Sequence, residues 1–266
     1  MKIGIVGCAG RMGRMLIKAV DETPGAELAG GSEMAGSEFV GQDPAVLAGL
    51  PASGLSITDD AVALFARSDA VVDFTAPVAT VAHAKLATEH DTALIPGTTG
   101  LSAEQQAEIE VAATRIPIVQ AANYSVGVNV LQVLTEQAAQ MMGDDFDIEV
   151  LEMHHRYKVD APSGTALALG QSAALGRGVD LDKVSQRVRD GFTGERTKGD
   201  IGFATLRGGM VVGDHTVMFA SDDERIELTH KASDRGVFAK GAIRAALWTE
   251  GKAPGLYSMR DVLGLG

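Results

Sequence analysis

Residues Glu152–Ala166 read Glu-Met-His-His-Arg-Tyr-Lys-Val-Asp-Ala-Pro-Ser-Gly-Thr-Ala. Five of these positions, His154 to Lys158, hold two histidines, an arginine and a lysine. The full chain of 266 residues sets 23 Lys and Arg against 35 Asp and Glu, a net charge of −12. A cationic knot in so acidic a chain implies a specific anionic ligand rather than a general affinity for polyanions. Pro162, Ser163 and Gly164 then read as a loop turning into a helix start ahead of the apolar run Ala166–Ala174. A helix N-terminus offers unpaired N–H groups and a positive dipole end to a carboxylate. One segment thus supplies proton donors, cations and backbone anion donors. Without these flanks the histidine pair reads as a strand end with one buried and one solvated ring; with them, proton chemistry is the stronger reading.

A second chemical motif opens the chain. Gly7-Cys8-Ala9-Gly10-Arg11-Met12-Gly13 lies between a short apolar strand, Lys2–Val6, and a run with helical spacing, Met12–Asp21. That is the context of a dinucleotide-binding turn, where glycine permits both the tight bend and the close approach of a pyrophosphate. The motif departs from the G-x-G-x-x-G form in having Ala9 at the middle position. Glu33 follows Gly13 by 20 residues, at the end of the next strand, and is placed to accept hydrogen bonds from a ribose diol. The alternative is a plain strand–helix turn with a solvated Glu33. Two further loops, Gly97-Thr98-Thr99 and Ala121-Ala122-Asn123-Tyr124, also follow strands. Each either offers backbone groups to a nicotinamide or is a simple turn. Asp73, at another strand end, reads as a local acceptor for backbone donors.

The elements needed to position these residues alternate. Strands are expected at 26–31, 70–74, 92–95 and 116–120, with helices at 59–66, 77–90 and 102–114 between them. Such alternation predicts crossover units and a parallel sheet. After Asn123 the rhythm changes to a long helix, 126–142, and a strand, 147–154. The knot, its helix and a Gly-rich charged loop at 190–200 follow. Three strand-like runs, 201–207, 210–219 and 225–231, have no helix between them and predict a mostly antiparallel, open-faced contribution to a mixed sheet. A last helix, 237–248, can return to the first sheet. The expected class is α/β, a Rossmann-like domain formed by residues 1–125 and 235–266, with an α+β domain inserted at 126–234.

Composition narrows the function. The negative charge argues against nucleic-acid binding as the main activity. No apolar run reaches the length of a membrane span, and the first residues run straight into a strand rather than a signal peptide. A single cysteine, Cys8, excludes an internal disulfide framework and fits a reducing, cytoplasmic compartment. Lying inside the glycine loop, it reads as a small packing residue. No cluster has zinc-site spacing. His83 and His90 read as surface or packing residues, His215 and His230 as structural, with His230 the nearer candidate for a pocket.

With these pieces in place, the chain resembles the 4-hydroxy-tetrahydrodipicolinate (dihydrodipicolinate) reductases over its whole length. The carriers are Gly7–Gly13, Gly97–Gly100, Ala122–Gly127 and above all His-His-x-x-Lys-x-Asp-Ala-Pro-Ser-Gly-Thr at 154–165. Gly194-Glu195-Arg196, Ile201-Gly202-Phe203-Ala204, His230-Lys231-Ala232 and Met259-Arg260-Asp261-Val262-Leu263 match as well. The resemblance implies hydride reduction of a ring dicarboxylate with NADH or NADPH in diaminopimelate and lysine biosynthesis, by a homotetramer assembled through the substrate domain. It implies that His154 is the proton donor and Lys158 the second catalytic residue. His155, Gly164 and Thr165 resemble the site for the substrate carboxylates, to which Ser163 adds its amide. Gly7, Cys8, Ala9, Gly10, Arg11 and Met12, with Glu33, Gly97, Thr98, Thr99, Ala121, Ala122, Asn123 and Tyr124, resemble the cofactor contacts. Many members of the family follow the ribose-binding acid with an arginine; here Met34 follows Glu33.

Two other functions compete. One is another oxidoreductase of similar layout, such as a semialdehyde or homoserine dehydrogenase; a semialdehyde dehydrogenase of the acyl-enzyme type needs a cysteine in its catalytic domain, and 126–234 contain none. A nicotinamide-sensing regulator has no use for the His154–Lys158 cluster, and no basic recognition helix is legible.

Overall fold

A computed structural model describes residues 1–265. The chain divides into two compact units, Met1–Val126 with the segment from Gly236 onward, and Gly127–Arg235.

The first unit begins with β1 (Lys2–Val6), α1 (Arg11–Glu22) and β2 (Glu27–Ser32), followed by the short helices α2 (Pro44–Leu47) and α3 (Ala61–Phe65). It continues through β3 (Ala70–Asp73), α4 (Pro77–Glu89), β4 (Ala93–Pro96), α5 (Ala103–Ala113) and β5 (Pro117–Val119). The strands form a wholly parallel sheet in the order β2-β1-β3-β4-β5, extended at the β5 edge by a strand from the end of the chain. The order reverses at β1, so the loop after it lies at the topological switch point where such sheets bind ligands. Strands covered on both faces read as near-continuous apolar runs. Ile3, Ile5, Val72 and Ile95 face one core; Val6, Val71, Leu94 and Ile118 face the other. Helix starts are chosen chemically: Pro77 opens α4, and α5 opens on a capping box in which Ser102 and Gln105 satisfy each other's backbone N–H.

The second unit carries most of α6 (Val126–Met142), then β6 (Asp147–His154), α7 (Gly164–Arg177), α8 (Leu181–Val184), β7 (Ser185–Gln186), β8 (Ile201–Arg207), β9 (Gly213–Ala220) and β10 (Arg225–Ala232). Its sheet runs β10-β9-β6-β8-β7. The expected mixed sheet is present, with fewer antiparallel pairs than the run of three strands suggested. The β10–β9 and β9–β6 pairs are antiparallel, but β6–β8 and β8–β7 are parallel. The reason is α7, a crossover helix that returns the chain to the same end of the sheet. The strand expected from Met210 starts at Gly213, because Gly209 and Met210 form the turn. Burial alternates along β6, with Ile148 and Val150 in the core beneath α7 and α6.

The chain then returns to the first unit as α9 (Gly236–Trp248), β11 (Gly255–Tyr257) and α10 (Met259–Leu263). β11 and α10 were not legible in the sequence: β11 is only 3 residues long and takes its partner, β5, from far back in the chain. Ala239, Ala242, Ile243, Ala245 and Ala246 of α9 are fully buried against the first sheet. Small residues allow this close approach, and Gly241 is the extreme case. A Cβ there would overlap the Tyr124 carbonyl oxygen. Gly241→Ala is therefore expected to destabilise the protein by about 2 kcal/mol or more by overpacking, although alanine is the better helix former by up to about 1 kcal/mol. A urea midpoint at or above wild type would contradict it.

Candidate active site

β6 ends in the histidine cluster. Its side chains alternate, so Glu152 and His154 share the face that carries Ile148 and Val150 nearer the strand's start. Register brings the rest. Glu152 stands beside His215 of β9 and Thr205 of β8, and His154 beside Arg207 of β8. The Glu152 side chain is only 1 % exposed. Its Oε2 accepts from His154 Nδ1 at 2.6 Å and Arg207 Nη1 at 2.8 Å. Its Oε1 accepts from Arg207 Nη2 at 2.9 Å, the Ser163 N–H at 3.0 Å and Thr205 Oγ1 at 3.4 Å. Burial alone would push this carboxyl up, but the Arg207, His154 and Ser163 hydrogen bonds outweigh it and hold it below the usual glutamate value.

His154 is nearly buried. Burial drives its pKa below the ordinary histidine value, Glu152 opposes that, and the charges of Lys158 and Arg207 add to it. His215 meets the His154 ring edge-on at 5.1 Å, and its Nε2 lies 3.0 Å from Ser163 Oγ. Buried and close to His154, His215 is pushed down to about 4 and stays neutral at physiological pH. It belongs to this cluster, a larger part than the structural one its sequence suggested.

Ser163 caps α7, its hydroxyl accepting from the Ala166 N–H at 3.1 Å. A Cβ on Gly164 would meet nothing within 4 Å, so the mouth of the helix is open. Thr165 follows in its first turn. Lys158 lies in the preceding loop, its ammonium 2.8 Å from Asp160 Oδ1. His155 turns away from His154, and its Nε2 is 3.1 Å from Arg235 Nη2. A buried histidine, an ammonium and a helix start are thus gathered in one unit.

The other site is the loop after β1. Gly7 has a φ of +63°, a conformation that favours glycine. Gly10 is the N-cap of α1 and no side chain caps that helix, which leaves its first amides open to an anion. A Cβ on Gly13 would overlap the Gly7 and Cys8 carbonyls, which explains the third glycine. Glu33 accepts from the Ala9 N–H at 2.8 Å. Cys8 is wholly buried, and a Cβ on Gly31 would lie 2.5 Å from its Sγ. Burial, aided by Glu33, raises its thiol to about 12, so it packs and does not react. These features fit a dinucleotide. Arg11 is exposed. Arg14, not singled out in the sequence, donates from Nε to the Ala9 carbonyl at 2.8 Å and lies 5.6 Å over the Phe39 ring. Its signal was its place one helical turn after Gly10.

The remaining loops are held from behind. The Thr98 hydroxyl is buried against Thr80 at 2.8 Å, whereas Thr99 is exposed. A Cβ on Gly97 would overlap the Phe74 ring, which lies 5.6 Å from Tyr124. The Tyr124 hydroxyl is within hydrogen-bond distance of the Val119 and Pro96 carbonyls, at 2.6 and 3.0 Å, so its buried side chain braces this loop. Ala121, Ala122 and Asn123 are the accessible part of that loop, with Asn123 Oδ1 accepting from the Ser125 N–H at 2.8 Å. Asp73 accepts from the Thr75 N–H and hydroxyl and lies 2.8 Å from His83 Nδ1. His83 is thus a packing residue, stacked on Phe65, with Asp73 as its hydrogen-bond partner. Among the described residues, no helix is long and apolar enough to cross a membrane.

A parallel sheet with a nucleotide loop at its switch point, and a cationic histidine cluster at a helix start, define a nicotinamide-dependent oxidoreductase for an anionic substrate. Residues 1–124 match the family model "Dihydrodipicolinate reductase, N-terminus" and residues 127–263 the model "Dihydrodipicolinate reductase, C-terminus". A 4-hydroxy-tetrahydrodipicolinate reductase of Rhodopseudomonas palustris (strain HaA2) is 56 % identical over 265 residues, covering 100 % of this chain and 98 % of its own. One from Brucella melitensis is 53 % identical over 266 residues, covering 100 % and 99 %. The dipicolinate-bound dihydrodipicolinate reductase of Paenisporosarcina sp. TG-14 has the same fold, with a TM-score of 0.76, 22 % identity and 97 % of each chain covered. The chain belongs to the dihydrodipicolinate reductase family.

Met34 is 78 % exposed beside Glu33. A 2′-phosphate would meet the Glu33 carboxylate there with no arginine at position 34 to neutralise it. NADH is expected to be favoured over NADPH by a modest factor. Met34→Arg should shift preference toward NADPH through KM more than kcat, because the contact is remote from the hydride. Steady-state kinetics with both cofactors checks this; a strong wild-type preference for NADPH would show that Arg11 or Arg14 outweighs Glu33.

Proposed function

We propose that this protein is the NADH- or NADPH-dependent 4-hydroxy-tetrahydrodipicolinate reductase of diaminopimelate and lysine biosynthesis. The observation that carries this reading is the Glu152–Thr165 segment, which joins a buried histidine, an ammonium and an open helix start in a chain of this family. The dipicolinate named for the Paenisporosarcina structure is a flat nitrogen ring that carries two carboxylates, as the proposed substrate does.

Reduced nicotinamide, when bound, supplies the hydride that reaches C4 of the conjugated imine formed as water leaves the ring. The product of that addition is an enamine, and its neighbouring carbon must take up a proton. His154 holds that proton at Nε2 and gives it up, returning to the neutral imidazole. Its lowered pKa makes it the stronger acid, and a bound dianion favours charging it beforehand. Lys158 exchanges Asp160 for the substrate and stabilises negative charge developing at the ring nitrogen. His155 and the Ser163, Gly164 and Thr165 end of α7 hold the carboxylates. An acyl-enzyme route is disfavoured because the single cysteine is buried with its pKa raised to about 12. That lone cysteine also fits a reducing compartment, and the cytoplasm is the proposed location.

The test is nicotinamide oxidation with substrate generated in situ by a coupled synthase; no turnover would overturn the reading. His154→Gln should lower kcat by roughly 10²–10⁴, the usual worth of a general acid. Lys158→Ala should harm both kcat and substrate KM. A loss confined to cofactor binding would remove Lys158 from the substrate site.

The assembly is proposed to be a homotetramer formed through the second unit's sheet. Leu151, Met153, Ala204, Leu206 and Met218 lie on the sheet face opposite its core and stay partly or fully exposed. An apolar face left open in this way favours a symmetric partner. Light scattering at micromolar concentration should give four times the chain mass; a monomer would contradict it.

A further inference from the structure

Within the second unit, the Glu152 carboxylate receives five hydrogen bonds from four residues, spread over both oxygens. Arg207 grips it with two roughly parallel N–H bonds, a geometry that fixes the carboxylate plane as well as its charge. Arg207 is itself tied to the Asp160 carbonyl at 2.6 Å. A carboxylate held this way accepts from His154 Nδ1 and has no proton of its own to offer. The other ring nitrogen, Nε2, has no hydrogen-bond partner among the described residues. It lies beside Gly213, where a Cβ would come within 3.0 Å. The second bond that matters joins Glu152 to the N–H of Ser163, the N-cap of α7.

We propose that Glu152 is the positioning residue of this site, holding His154 in the Nδ1–H form with Nε2 directed to the substrate while fixing the start of α7 at a set distance from that ring. The inference rests on His154 as proton donor and extends it. One buried group thus aligns the proton with the carboxylate-binding amides. Arg207 keeps Glu152 an acceptor. The remaining charged or titratable groups around the ring are Lys158 in the loop and His215 on β9.

The first measurement needs no variant. In ¹⁵N-histidine-labelled protein at alkaline pH, His154 should show a protonated Nδ1 and a bare Nε2; an Nε2–H ring overturns the proposal. Glu152→Gln keeps an oxygen for the Ser163 N–H but loses the charge that favours the imidazolium. It should lower kcat roughly 10- to 100-fold, as loss of a histidine's outer partner does, with substrate KM little changed. The His154 pKa should fall, because the carboxylate that raised it is gone, so the corresponding limb of kcat/KM moves to lower pH. A folded Glu152→Gln protein with wild-type kcat and an unmoved limb would leave Glu152 a structural role only and sink the proposal. If the variant does not fold, the wild-type tautomer decides. His154→Gln separates the two ideas. An undiminished kcat there removes His154 from proton transfer and leaves the ring's tautomer as measured. A diminished kcat with an Nε2–H ring removes Glu152 alone.

Discussion

The pairing of Glu152 with Arg207 forms where an apolar core gives way to chemistry. Along one face of β6 the buried side chains run Ile148, Val150, Glu152, His154. An unpaired carboxylate at such depth would cost several kcal/mol and take up a proton. The guanidinium offsets much of that cost by two aligned bonds, and the acceptor capacity left over is what His154 and Ser163 use. Removing the pair would leave His154 Nδ1 and the Ser163 N–H buried without their acceptor. The strand pairing that places Arg207 and His215 beside β6 is therefore what holds this cluster together.

The nucleotide loop is built on the opposite principle. There the decisive residues are those that lack atoms. Gly7 supplies a conformation, Gly13 lets α1 approach the loop, and Gly31 leaves space for the Cys8 thiol. The amides at the start of α1 then remain available because no side chain takes them. One site saturates a carboxylate so that a ring cannot move; the other withholds side chains so that a phosphate can come close.

Much of this was legible in the chain. Alternating apolar strands and helices define the parallel sheet because both faces are covered, and the loop sequence defines what it binds. Glu152 stood two residues before His154, a spacing that puts both on one strand face, yet nothing local to the motif shows that it is buried and saturated. Arg207 and His215 lie more than fifty residues downstream of Glu152. Their part depends on register, and register is set by β6 packing between β8 and β9, not by any local pattern. The same holds for the parallel β6–β8 pair, which a run of strands without helices concealed. His83 is the packing residue its helix suggested, but its hydrogen-bond partner, Asp73, sits on a neighbouring element, and helix periodicity carries no information about it.

The first unit is also discontinuous, and that orders events in time. Translation releases β1 through β5 early, but the face of that sheet covered by α9 has to wait until residues 239–246 leave the ribosome. At elongation rates of roughly 5–20 residues per second, the intervening 127–235 segment takes seconds to synthesise. That segment is contiguous and has a core of its own, so it emerges whole while its host is still half-clad. The unit that begins the polypeptide is the one that must close last, and the apolar strands of a nascent parallel sheet are what a chaperone would have to shield meanwhile.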